Sequence, residues 1–250
     1  MGHLAIATIV FACISSSMLL GAFLRSHLPP DHIDDESKDS IKLATGLVAT
    51  MAALVLGLMI SSAKSSFDTL NGELVRSAAS AVRLDRVLNK YGPETHDIRA
   101  MLKSNFAASL DALASGDPSR LSGVDAVGRG EELQRQVEAL EPHSALQRQL
   151  QIRALQILDE GLTSRWLALL QERGSLPIPL LMLLVSWLVI LFGTFGLFAP
   201  PNGTTITTLV MCALSAAGAI FLIMEMKMPL GGAVRVSLEP MNAALVILGR

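Results

Sequence analysis

Apolar and polar residues fall in long blocks along this chain. Leu4 to Leu24, Leu43 to Ala63, Ile178 to Phe198 and Ile206 to Met224 are four runs without a charged residue. Each is close to the ~20 residues that an α-helix needs to cross a bilayer. The second run is patterned within itself. Gly46, Ala49, Thr50, Ala53, Gly57 and Ser61 recur at steps of three or four, so on a helix they share one stripe. Leu47, Leu54, Val55 and Leu58 cover the rest of its surface. Small side chains let backbones approach closely, and helices in lipid associate mainly through such faces. Lys64 ends the apolar run at an interface, its ammonium reaching water on a flexible stem.

The connections between the runs differ in character. The first run reads as a retained span and not a cleaved leader. Only His3 precedes it in place of a basic segment, and it exceeds the roughly 7–15 apolar residues of a signal sequence. Ser26 to Lys42 is a short polar link in which Pro29 and Pro30 stop the preceding helix. Asp31, His32, Asp34, Asp35 and Glu36 are metal-ligand types, but their spacing matches no hard-ion loop, so no metal is expected. They read as an acidic loop leading into the next helix, where negative charge is favoured at the N-terminus. Ala199 to Thr205 is a tight uncharged turn, which is also the expected role of Asn202-Gly203-Thr204.

The polar segment from Lys64 to Leu176 keeps a helical period throughout. Phe67, Leu70, Leu74, Ser77, Ala81, Leu84, Leu88 and Tyr91 form one seam, closed by Gly92-Pro93. Ile98, Leu102, Phe106, Leu110 and Leu113 form a second. Gly116 to Gly130 reads as a loop, Glu131 to Leu140 as a further helix and His143 to Arg173 as another, with Pro142 between them. No period-two pattern of a strand occurs. The fold expected is therefore all-α. It has transmembrane helices in 1–63 and 177–225, a helical bundle or hairpin in 64–176, and a tail in 226–250.

Composition narrows the function. Of 250 residues, 51% are hydrophobic and only 17% are charged, too apolar a balance for an ordinary soluble domain. A net charge of −2 without a basic cluster gives nucleic acid nothing to bind. The two cysteines, Cys13 and Cys212, stand alone in apolar runs and read as small buried hydrophobes. Basic residues set the orientation. Lys64, Arg76, Arg83 and Arg86 follow the second span, Arg153, Arg165 and Arg173 precede the third, and Lys227 and Arg235 follow the fourth. The turn between the third and fourth spans has none. By the positive-inside rule the helical segment and both termini are cytoplasmic.

No catalytic constellation emerges. Ser61-Ser62-Ala63-Lys64 has the spacing of a serine nucleophile and its lysine, but the partner motifs of such enzymes are missing. A metalloprotease helix, a nucleophile elbow and a phosphate-cradling loop are also absent from the sequence. Neither enzymatic activity nor a cofactor is expected. Glu225 is the one carboxylate abutting the end of a span, where it either pairs with Lys64 or Lys227 across helices or meets water; the interfacial ion pair with Lys64 is the reading adopted.

Four stretches together resemble a known family. They are Leu28 to Asp68, Leu84 to Glu94, Phe195 to Asn202 and Phe221 to Pro240, and the family is that of bacterial bestrophin-like membrane proteins. Two departures stand out: Lys227 occupies a position usually acidic, and Leu230 one usually Phe. The resemblance implies kinship to bestrophins, which are pentameric anion channels with four spans, a cytosolic helical region and a pore neck on the second span. The acidic run that forms the calcium clasp of animal bestrophins is absent here. The resemblance implies an oligomeric channel of the bacterial inner membrane, with the bilayer, other copies of the chain and inorganic anions as partners. Gly46, Ala49, Thr50, Ala53, Gly57, Ser61 and Lys64 would line its path or pack its helices. The alternative is a non-conducting scaffold whose cytoplasmic helices bind another protein.

Overall fold

A computed structural model describes residues 2–27, 35–115, 124–171, 178–200, 202–227, 232 and 235–249, with helical side chains described except at 3, 35–37, 124–127, 162–171 and 178. The helices are α1 (His3–His27), α2 (Asp35–Tyr91), α3 (His96–Ser115), α4 (Val124–Glu138), α5 (Ala145–Gln171), α6 (Ile178–Phe198), α7 (Gly203–Met226) and α8 (Glu239–Ile247), with a 3₁₀ turn at Pro93–Thr95. No strand occurs among the described residues. The protein is an all-α membrane protein. Four stretches, Leu4–His27, Lys38–Tyr91, Pro179–Phe198 and Gly203–Met226, are long and apolar enough to cross a bilayer. The acidic loop residues Asp31, His32 and Asp34 lie outside the described residues, as do the side chains of Asp35 and Glu36.

The chain divides into two compact units, Met1–Ser66 with Ser175–Met228, and Phe67–Gly174 with Pro229–Arg250. In the first, Val10, Ile14 and Met18 of α1 pack with Ala52, Met59 and Ala63 of α2, Leu184, Leu191 and Phe192 of α6, and Ala213, Ile220 and Ile223 of α7. The closest backbone approach is between α1 and α6. A Cβ on Gly21 would strike the carbonyl of Gly193, and one on Gly196 would strike the carbonyl of Met18. The Ser17 hydroxyl donates to the Val189 carbonyl at 2.6 Å across the same contact. The Arg25 guanidinium donates to the Ala199 carbonyl, closing the C-terminus of α6 with a cation. Asn202 caps α7 by accepting from the Thr205 amide at 3.0 Å, so the expected turn doubles as a helix start.

Cys13 and Cys212 correct an expectation: both are exposed, not buried. On a helix facing acyl chains a cysteine meets no penalty at the outer surface, so an apolar run does not tell inside from outside.

The second unit has its own core. Leu74, Leu84 and Leu88 of α2 pack with Ile98, Leu102 and Phe106 of α3, Leu133 and Val137 of α4, and Ala154 and Ile157 of α5. The C-terminal segment joins it through Val236, Met241, Ala244 and Leu248. α4 begins at Val124, inside the stretch read as a loop up to Gly130. Burial of Leu133 and Val137 holds it, and the Asn105 amide donates to the Arg129 carbonyl at 3.3 Å. Gln151 of α5 closes the other end by donating to the carbonyls of Val137 and Leu140, each at 2.9 Å.

α2 does not stop at Lys64. It runs unbroken for 57 residues because nothing around Lys64 interrupts a helix and the buried positions keep their period as far as Tyr91. Its end is chemically fixed. Gly92 has φ 143°, open only to glycine, and Pro93 follows. The fully buried Thr95 hydroxyl contacts the Leu88 carbonyl at 2.6 Å and the Gly92 carbonyl at 2.8 Å. One more tie was invisible as periodicity. Arg99 of α3 forks onto Asp85 of α2 at 2.8 and 3.1 Å and also reaches the Asn89 side chain at 2.9 Å.

A small-residue face on the second helix

The stripe on α2 is where sequence and structure meet most directly. Thr50, Gly46, Ala53, Gly57 and Ser61 are all exposed, and Ala49 is half-buried against the core. The buried side of the same stretch is carried by Ala52, Met59 and Ala63, which fall on a different face. A Cβ added to Gly46 or Gly57 would meet nothing within 4 Å. The stripe therefore contributes little to packing within the chain, which instead uses Gly21, Gly193 and Gly196 for close approach. No period marked those three in advance; the signal available was Ser17-x-x-x-Gly21 opposite Gly193-x-x-Gly196.

The stripe carries two hydroxyls, those of Thr50 and Ser61, at exposed positions. The Thr50 hydroxyl donates to the Leu47 carbonyl at 2.7 Å within its own helix turn. From Gly46 to Ser61 it carries no charge, and a lysine stands just beyond each end. Lys42 lies four residues before Gly46 and Lys64 three after Ser61, so both fall near the same face. At 1.5 Å per residue they are about 33 Å apart, close to the hydrocarbon thickness of a bilayer. Lys42 pairs with Asp39 at 3.3 Å on the exposed surface. Its position was not anticipated, although the i, i+4 spacing to Gly46 was readable.

Lys64 is exposed and Glu225 is only 6% exposed. Each has at least one polar or electrostatic interaction in the fold. Ser61 and Lys64 belong to the open face of a helix, and no group of three metal-ligating side chains occurs among the described residues. Beside the stripe is a cleft of about 440 Å³. Thr45, Gly46 and Ala49 of α2 line it opposite Phe195 and Phe198 of α6 and Leu209 of α7, with Lys42 the charged residue among the described lining. Other faces of α2 carry leucines that touch little. Leu43, Leu47, Leu54 and Leu58 are between 61% and 78% exposed.

Comparison with known proteins gives these features a frame. A bestrophin-like domain matches residues 12–241. Crystal structures of a bacterial bestrophin homologue from Klebsiella pneumoniae superpose on nearly the whole chain. One variant has a TM-score of 0.72 at 16% identity, covering 99% of this chain and 97% of the other. A second gives 0.70 at 16% identity with 96% and 97% covered, and a third 0.66 at 18% with 94% and 97%. At such identity the likeness is one of fold. No curated protein matches.

Proposed function

The chain belongs to the bestrophin-like family, and on that premise we propose that it forms an oligomeric channel conducting inorganic anions along the small-residue face of α2. The observation that carries this reading is the stripe from Gly46 to Ser61. Apart from Ala49, which packs on the core, it is exposed, its Thr50 hydroxyl is bonded within its own turn and its glycines face open space, on the helix that forms the pore neck in bestrophins. Small side chains leave room on an axis shared by several copies, and a helix that satisfies its own hydroxyls can face water or another helix. Lys64 and Lys42 put positive charge at the two ends of that path, where it raises the local concentration of anions. The buried Glu225 is assigned as the partner that orients Lys64. The membrane proposed is the bacterial inner membrane, with the second unit and both termini cytoplasmic.

The charge at Lys64 gives the test. At an effective dielectric near 20, a unit charge roughly 10 Å from an ion acts with about 2 kcal/mol, falling as salt is added. Lys64→Glu is expected to lower the chloride-to-sodium permeability ratio several-fold, most visibly at low ionic strength. Reversal potentials of purified protein in planar bilayers under a salt gradient measure this. An unchanged ratio in an intact oligomer removes Lys64 from the path. Absence of current from both proteins moves the assignment to the scaffold reading, which the exposed Leu146 and Ile152 of the second unit favour as a place for a protein partner.

Sidedness is tested separately. In a background lacking Cys13 and Cys212, Ser37→Cys is expected to react with an impermeant thiol reagent applied outside intact cells, and Ser115→Cys only after lysis. The reverse pattern inverts the topology.

A further inference from the structure

The cleft beside the stripe has a chemistry of its own. Phe195, Phe198 and Leu209 face Thr45, Gly46 and Ala49 across it, with Gly46 at the border of the stripe. Thr194 also reaches it, but that hydroxyl donates to the Ile190 carbonyl at 2.8 Å within its own helix. At about 440 Å³ the cleft falls within the roughly 300–1,000 Å³ of small-ligand sites. Charge enters at its mouth. Lys42 stands there, paired at 3.3 Å with Asp39, and both side chains are more than two-thirds exposed. Lys38 lies one turn before Lys42 on the same side of α2. Arg25 donates to the carbonyl of Ala199, another residue of the lining, and so brings a further cation to this end. From Lys42 to Ala49 the helix covers about 10 Å, which keeps the cleft within one leaflet of a hydrocarbon core ~30 Å thick.

We infer that the cleft holds one acyl chain of a membrane phospholipid whose head group carries both a phosphate and a primary ammonium. The chain is matched to the aromatic and small apolar walls, and the head group is matched to the mouth. Basic pockets between membrane helices are head-group sites. The Lys42 ammonium has three donors, so it can serve Asp39 and still donate to a phosphate. Asp39 in turn accepts from the lipid ammonium. An exposed ion pair is worth only about 0–1 kcal/mol, so the pair opens to admit the head group at little cost and exchanges one contact for two. Arg25 adds a second cation for the phosphate, and Thr45 offers a hydroxyl three residues deeper, at the level of the ester carbonyls. The pairing of opposite charges selects the lipid. A head group with net negative charge meets Asp39 as a like charge, and a quaternary ammonium gives Asp39 no donor. A protein helix laid over the cleft would cover the Lys42–Asp39 pair without a partner for either. The site is complete in one copy, so it stands apart from the oligomeric reading. Lys42 thereby serves the lipid as well as the path proposed above, whose test at Lys64 is independent of it.

Fluorescence quenching by brominated lipid reads the site directly. The protein is the full chain carrying Trp166→Phe, Trp187→Phe and Phe198→Trp, so that its one indole lines the cleft, reconstituted in phosphatidylcholine vesicles. Dibromo-acyl phosphatidylethanolamine as a minor fraction is expected to quench several-fold more than dibromo-acyl phosphatidylcholine or phosphatidylglycerol at the same fraction. Lys42→Ala and Asp39→Ala should each bring that quenching down to the phosphatidylcholine level with an unchanged size-exclusion profile. Gly46→Leu, which fills the cleft, should do the same. Leu209→Trp replaces Phe198→Trp as the probe if the latter alters the profile. Equal quenching by the three lipids would mean that the cleft meets only bulk bilayer and overturns the inference. Preference for phosphatidylglycerol would show that the mouth reads positive charge alone, which overturns the assignment of a zwitterionic head group. No quenching by any brominated lipid would mean that protein covers the cleft, and that also overturns it. None of these readouts needs a current.

Discussion

Gly196→Val is expected to separate α1 from α6 and leave little folded protein to purify. The reason is geometric. A Cβ at Gly196 would occupy the position of the Met18 carbonyl oxygen, and the neighbouring contact at Gly21 is equally closed by the Gly193 carbonyl. Backbone cannot yield as a side chain can. Overpacking costs about 1–3 kcal/mol even where side chains adjust, and here the helices must part. Parting also breaks the 2.6 Å bond from Ser17 to the Val189 carbonyl and removes Arg25 from the Ala199 carbonyl. Thermal denaturation in mild detergent, followed by size-exclusion profile, measures the loss. Gly46→Ala and Gly57→Ala are the controls, since each adds a methyl into open space. They should leave the melting profile unchanged or raise it, alanine being preferred in helices by about 1 kcal/mol. A Gly196→Val protein that melts like these controls would show that α1 and α6 do not meet as closely as described.

A second large effect belongs to the other unit. Asp85→Ala is expected to destabilise it by about 1.5–3 kcal/mol, because the partly buried Arg99 would lose its charged hydrogen-bond partner. The Asp85 side chain is 6% exposed and that of Arg99 15%, so water screens the pair weakly. The hydrogen bond that Arg99 donates to Asp85 raises the Arg99 pKa against the opposing effect of burial, so the guanidinium stays charged and cannot escape by losing its proton. A group whose folded pKa is raised contributes stability fully at pH values below its unfolded pKa and loses it only as pH rises through the folded one. For an arginine that window lies far above neutrality, so the contribution of Arg99 does not change across the physiological range. Asp85→Leu combined with Arg99→Met should recover most of the loss, because two apolar groups of similar size leave no charge stranded. Urea melts of the three proteins in detergent, read by far-ultraviolet circular dichroism, decide it. Equal midpoints for Asp85→Ala and the parent would mean the pair is not buried as described.

These two sites show where reading the chain succeeds and where it stops. Glycines are indistinguishable in a string of letters. Gly46 and Gly57 sit in the most regular pattern of the chain and face open space; Gly21, Gly193 and Gly196 sit in no striking pattern and carry the closest helix contact. The pattern at Gly46 to Ser61 marks a surface of small residues. What it could not say was whether that surface meets this chain's own helices or something outside it. Arg99 and Asp85 lie 14 residues apart on two helices joined by a tight turn, so no single-helix spacing relates them. Cys13 and Cys212 were misjudged for the related reason that lipid accepts apolar side chains as readily as a protein core does.

Local physics was enough for the four apolar runs, the helical character of the polar segment's described residues and the end of α2 at Gly92-Pro93. Each depends on a property carried along the chain itself: length against bilayer thickness, a period of 3.6, or one residue's allowed φ. Tertiary structure alone decided the entry of Val236, Met241 and Ala244 into the second core and the choice of α1 with α6 as the close pair. Those outcomes depend on which faces meet across long separations, and a helix in lipid can turn any apolar side toward its neighbours. The stripe on α2 is left exposed because α1, α6 and α7 pack on a different side of that helix, a fact of assembly that no periodicity along one helix contains.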